Sequence, residues 1–280
     1  MTGSHTIERF QKRLCRISDE FGFCEAILFT KSIDRWRRYA IVQAKIREMK
    51  NDRLMILDVG SGGIGVSILQ NSLKKDCVFY LLDVTGDAFR DIASPFRIVG
   101  DACHLPFRSK MFDVVISTDV VEHISKPVRV GFWKEIERVC RRRIVVTCPM
   151  QSGDGFFQGA KYDMLYQRLF EKRYGSREPN TERHIAVGHP TLEEVRGLLP
   201  DLKIEGFNNC TIWLKYMSLS CRPIAGIVSG LLYYLLWKRL DDSPPFWSAV
   251  ITLDMSLYFR GRQFSRTSQS PPPGSVINTV

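Results

Sequence analysis

Ile56-Leu57-Asp58-Val59-Gly60-Ser61-Gly62-Gly63-Ile64-Gly65 reads as a short apolar strand that runs through a carboxylate into a glycine-rich turn and then a helix. Glycine lets the backbone approach a bound molecule closely and adopt positive φ angles that a Cβ penalises. Sites for unrelated nucleotides use such turns, so the turn alone is weak evidence. The acidic residues that follow it add specificity. Asp83 closes the apolar run from Val78 to Leu82, and a carboxylate there can accept from both hydroxyls of a ribose. Asp101, in Gly100-Asp101-Ala102, closes the run Phe96 to Val99 and can accept from an amino group, while Asp119 follows Val114-Val115-Ile116. Ligands of open α/β sheets bind outside the carboxyl ends of the strands, so four features converge on one nucleoside-shaped site.

The strands are continuous apolar runs separated by amphipathic stretches: Met55 to Leu57, Val78 to Leu82, Phe96 to Val99, Val114 to Ile116 and Ile144 to Val146. A parallel sheet covered on both faces needs this pattern, and the predicted class is a doubly wound α/β fold. Residues 1–50 have helical periodicity, with Phe10, Leu14, Ile17 and Phe21 on one face and a second run from Arg35 to Met49, and are read as a helical extension. A helix spans Val128 to Val139, and another opens at Thr191, where Glu194 completes a capping box. Leu202 to Phe207 and Ala249 to Leu257 are candidate last strands. The tail, with Pro271-Pro272-Pro273, is expected to be disordered.

These segments resemble the class I S-adenosylmethionine-dependent methyltransferases, in the type 11 domain group. The matching stretches are LDVGSGGIG (57–65), LLDV (81–84), GDACHLPF (100–107), FDVVISTDVVEHI (112–124), WKEIERV (133–139) and RRIVVTCP (142–149). The resemblance covers roughly residues 54–150 and implies a Rossmann-like seven-stranded sheet of order 3-2-1-4-5-7-6 with an antiparallel last strand. It also implies a site for S-adenosylmethionine in which Asp58, Gly60, Ser61 and Gly62 face the methionine moiety. Asp83 with Val84 then faces the ribose, Asp101 with Ala102 the adenine, and Asp119 completes the cofactor set. One departure stands out: the family usually has glycines at alternate positions after the aspartate, whereas here Ile64 lies between Gly63 and Gly65. On this reading residues 51–260 form the methyltransferase domain, with insertions 150–190 and 210–247 covering an acceptor pocket and 261–280 as a tail.

His123 is the first candidate for a general base, since it follows the fourth strand and an oxygen acceptor needs a base near neutral pKa. A histidine that only makes structural hydrogen bonds is the alternative there, and still more so for His184 and His189. Asp242-Ser243-Pro244-Pro245-Phe246 superficially matches a tetrad used on exocyclic amines of bases, but it lies outside the fourth strand and reads as a turn. The run Pro223 to Trp237 is too short to span a bilayer, leaving either a buried or lid helix or one lying at a membrane interface with Tyr233, Tyr234 and Trp237 near the headgroups.

A 280-residue chain with 44% hydrophobic and 25% charged residues can bury a full core, which excludes disorder as its main state. The net charge of +10 favours an anionic partner, although the tightest basic groups, Arg141 to Arg143 and Arg35, Arg37 and Arg38, read as solvated faces and helix ends. None of the eight cysteines lies in a C-x-x-C pair or at a Cys/His spacing suited to zinc, so no metal is expected. Buried thiols and a polar N-terminus suggest the cytosol or its membrane face. The expected activity is transfer of a methyl group, at oxygen, to a small-molecule, glycan or lipid-linked acceptor. An RNA substrate and a non-catalytic S-adenosylmethionine-binding module are the alternatives.

Overall fold

In the computed structural model of the chain, the described residues are 33–49, 53–62, 69, 73, 77–89, 96–199, 201–220 and 232–255. The expected N-terminal face of Phe10 to Phe21, the Gly63-Ile64-Gly65 departure, most of the run 223–237 and the C-terminal tail lie outside them. Seven strands form one sheet: β1 (Met55–Val59), β2 (Val78–Asp83), β3 (Arg97–Val99), β4 (Phe112–Thr118), β5 (Cys140–Pro149), β6 (Lys203–Asn209) and β7 (Phe246–Asp254). Their order is β3-β2-β1-β4-β5-β7-β6, as the resemblance implied. Strands β1 to β5 run parallel, and β7 is antiparallel to both β5 and β6.

Alternation along β1, β2, β4 and β5 explains why their apolar runs are unbroken, whereas β3 is an edge with Val99 exposed. Leu57, Val59, Val115, Ile144 and Val146 face one core. Ile56, Val114, Ile116 and Val145 face the other. Helix α2 (Arg129–Val139) covers the first with Phe132, Trp133, Ile136 and Val139, joined by Leu192 and Val195 of α5 (Leu192–Leu198). Helix α1 (Ile33–Arg47) covers the second with Tyr39, Val42 and Ile46, which recur at helical spacing. Asp34 in its first turn and Lys45 and Arg47 in its last suit the helix dipole.

Beyond β5, α3 (Gly159–Tyr174) and α6 (Cys210–Ser220) build a third, aromatic core in which Trp213 stacks on Trp247 at 4.4 Å between centroids, and α4 (Pro179–Val187) packs on α3. Thr191 caps α5 by accepting from the Glu194 amide at 3.1 Å, but the expected capping box is only half formed. The Glu194 carboxylate faces buried Arg129 instead, at 3.2 Å. A cis Pro244-Pro245 bond lies in the turn that leads into β7.

Ion pairs engage most of both basic groups, while Arg35 and Arg141 keep the exposed character expected of them. Arg37 pairs with Asp241 and Arg38 with Asp34 and Asp119. Arg141 pairs with Asp113, and Arg143 with Glu48 and Asp254. Of the two readings of the run 223–237, Tyr233 fits the buried one: it is fully buried in a single π-helical turn (Tyr233–Trp237) and donates to Asp241 at 2.6 Å. No helix among the described residues is long and apolar enough to cross a membrane.

Candidate active site

The strand tips meet around the glycine elbow. Gly60 takes φ +75°, and its amide, like that of Ser61, reaches back to the Leu82 carbonyl on β2, at 2.7 and 3.2 Å. A Cβ on Gly60 would lie 2.2 Å from Val120 Cγ2, so the elbow is pressed against the residues leaving β4. The Gly62 amide donates to Asp83 Oδ2 at 3.1 Å, and Asp83 Oδ1 accepts from the Thr85 amide at 3.2 Å. Each of these oxygens retains a lone pair for a further donor.

Under the elbow, Asp58 and Ser61 are fully buried, yet neither the Asp58 carboxylate oxygens nor Ser61 Oγ has a hydrogen-bond partner. Burial, reinforced by the nearby Asp83 charge, pushes the Asp58 carboxyl up to about 7. Buried polar atoms without partners are costly, and they are tolerated where a ligand completes them. A polar floor, a glycine turn and carboxylates on two neighbouring strand tips fit the amino-acid and ribose parts of S-adenosylmethionine.

The remaining cofactor candidates are placed less uniformly. Val84 follows Asp83 and is exposed, while Ala102 is half-buried against the first core. Asp101 is exposed and accepts from the Cys103 amide and from His104 Nδ1, both at 2.8 Å; the His104 bond chiefly keeps its carboxyl below the ordinary range. Asp119 is held by partners within the chain. It sits at φ +53°, pairs with Arg38 and accepts from Thr147 at 3.2 Å, so its carboxylate anchors α1 to the tip of β4. Tyr39 adds a second tie there, 3.0 Å from Thr118 Oγ1.

A buried polar cluster lies beyond that tip. The turn Val121–His123 carries Glu122, which is fully buried with both carboxylate oxygens unpartnered, and half-buried His123. Helix α4 packs on this turn and brings His184 Nε2 to 3.9 Å from Glu122 Oε1 and its ring to 4.8 Å from that of His123. The near-neutral basicity expected of His123 is not what its surroundings provide. Burial, then the neighbouring His184, Arg183 and Arg38, lower it to about 4. Burial likewise pushes the Glu122 carboxyl well up.

Behind His184 stands Asp163 of α3, which sequence reasoning missed. It is fully buried and accepts from His184 Nδ1 at 3.0 Å, His189 Nε2 at 2.9 Å and Trp247 Nε1 at 2.7 Å. Burial alone would raise its carboxyl, but the two histidine bonds outweigh it and hold the carboxyl below the ordinary range. The only signal in the sequence was an isolated aspartate in an otherwise amphipathic helix, separated from its partners by 21 to 84 residues.

Residues 57–146 match the family model of the methyltransferase domain. A comparison with curated proteins gives no match. Among solved structures, a protein of Galdieria sulphuraria assigned as a sarcosine dimethylglycine methyltransferase is 14% identical over 78% of this chain and 85% of its own, with a TM-score of 0.50. A protein of Pyrococcus horikoshii is 26% identical over 41% of this chain and about half of its own length, 54%, at a TM-score of 0.35. A SAM-dependent methyltransferase of Archaeoglobus fulgidus is 15% identical over 77% and 94%, at a TM-score of 0.45. The segment that matches the methyltransferase domain, residues 57–146, runs from the glycine elbow into β5 of the seven-stranded sheet.

Proposed function

We propose that the chain methylates an oxygen of a small-molecule, glycan or lipid-linked acceptor. The observation that carries this reading is the adjacency of two buried polar groups with unfilled valences. One is Asp58 and Ser61 under the elbow; the other is Glu122 on the turn after β4, with Val120 between them touching Gly60. S-adenosylmethionine supplies an electrophilic methyl on a sulfonium, whose thioether leaving group needs no acid. The chain's contribution is therefore placement and exclusion of water. Asp58, Gly60, Ser61 and Gly62 hold the amino-acid end, Asp83 and Val84 the ribose, and Asp101 and Ala102 the adenine. Asp119, through Arg38, seats α1 over the site. The acceptor hydroxyl meets Glu122, His123 and His184.

An RNA acceptor draws little support, because Arg37, Arg38 and Arg143 are held in ion pairs with Asp241, Asp119 and Asp254 rather than on an open basic stripe. A lipid-linked acceptor gains some from Leu235, Leu236 and Leu240, each more than half exposed and interleaved with exposed Lys238 and Arg239. The test is calorimetric titration of the folded protein with S-adenosylhomocysteine. Micromolar affinity is expected, and it should vanish in the Asp83→Ala, Gly60→Val double variant. No binding to the folded wild type would remove the proposal.

A further inference from the structure

We infer that Glu122, His123 and His184 form a binding site for a divalent transition-metal ion beside the tip of β4. One ligand atom from each of the three residues lies within 4.8 Å of the others. The 3.9 Å between His184 Nε2 and Glu122 Oε1 is too long for a hydrogen bond. It suits two ligands of one ion, since bonds of about 2.0–2.2 Å place such atoms about 3–4 Å apart. Glu122 is fully buried with neither oxygen partnered, and His123 Nδ1 is also buried without a partner. A carboxyl oxygen and an imidazole nitrogen left unfilled within reach of one another are what a cation would satisfy.

The surroundings fix the tautomer. His184 Nδ1–H donates to Asp163, so Nε2 keeps its lone pair and faces Glu122. A carboxylate behind a ligating histidine orients the ring and raises its basicity as a ligand. Asp163, His184 and His189 also cluster, but their separations of 2.9 and 3.0 Å are hydrogen bonds already made. Two imidazoles and one carboxylate suit a borderline ion such as Zn²⁺ better than Ca²⁺ or Mg²⁺, and Mn²⁺, although harder, serves as its spectroscopic substitute. The expectation of no metal rested on short Cys/His spacings, whereas these ligands are 61 residues apart and meet only through the packing of α4 on the turn after β4.

Resting on the proposed O-methylation, the ion has a part in the reaction. The acceptor's O–H loses its proton to water as the oxygen takes an open position on the ion. That oxygen then bonds the methyl carbon while the carbon–sulfur bond breaks, leaving a neutral thioether. The decisive experiment titrates the chelator-stripped full chain with Zn²⁺ or Mn²⁺ alone, by calorimetry and, for Mn²⁺, by electron paramagnetic resonance. One ion per chain with a micromolar or tighter Kd is expected, weakened at least 10-fold in Glu122→Gln, in His123→Ala and, through His184, in Asp163→Asn. S-adenosylhomocysteine binding is measured on the same stripped samples; donor binding without metal binding sinks the ion alone and leaves the methyltransferase reading standing. Wild type binding no ion below 1 mM, or binding it unchanged in folded Glu122→Gln and His123→Ala, would overturn the site.

Discussion

Replacing Gly60 by alanine tests the elbow most directly, because two costs can be read from the structure and separated. The first is conformational: at φ +75° a Cβ costs about 1–2 kcal/mol. The second is steric. The new Cβ would lie 2.2 Å from Val120 Cγ2, on a β-branched side chain that cannot swing aside, and overpacking of this kind costs about 1–3 kcal/mol. Gly60→Ala should therefore lose about 2–5 kcal/mol, a fall in Tm of roughly 5–15 °C for a domain of this size. Its affinity for S-adenosylhomocysteine should drop at least 10-fold, since the Ser61 and Gly62 amides are carried on the same turn. Adding Val120→Ala removes the clash but not the strained φ, so a double-mutant cycle by urea denaturation should return about 1–3 kcal/mol of favourable coupling. A Gly60→Ala protein with wild-type stability, or a cycle with no coupling, would refute the claim that this turn is locked against the β4 exit.

Other perturbations address the buried charges and the exposed apolar face. The Asp58 carboxyl, held at about 7 against an unfolded value of 3.8, binds its proton more tightly in the folded state. Its effect is thus to lower stability as pH rises from about 4 to 7, by up to about 1.4 kcal/mol per unit. Asp58→Asn should flatten that slope relative to wild type while weakening donor binding; equal slopes in chemical denaturation would contradict the assigned burial. Arg129, almost wholly buried, ties the Ile124 carbonyl, the Gly188 carbonyl and Glu194 together. Arg129→Met should cost about 3–5 kcal/mol by leaving Glu194 unpaired, and Arg129→Lys should recover little of it because one ammonium cannot serve three directions. For the lipid-linked acceptor, Leu235→Asp with Leu236→Asp should reduce co-sedimentation with anionic vesicles several-fold at unchanged Tm, and an unaltered vesicle-bound fraction would count against it.

The sheet was legible because its determinants are local. The runs of β1, β2, β4 and β5 face two cores at once, and the turn at Gly60 demands a residue without a Cβ, so chain order and the elbow could be read from residues a few positions apart. The carboxylate at Asp83 was legible for the same reason, as the last residue of its strand. What the sequence left open depends on approach between distant segments. The pairing of Asp119 with Arg38 depends on how α1 crosses the end of β4, 81 residues along the chain. Whether arginines form a basic patch depends on which acids the fold brings to them, and here Asp113, Asp241 and Asp254 neutralise them in place. His184 and Asp163 gain meaning only once α3 and α4 pack over the turn that carries Glu122. Backbone propensity and hydrophobic alternation act over a few residues and are written in order along the chain, whereas the pairing of buried charges is decided by the packing that removes them from water.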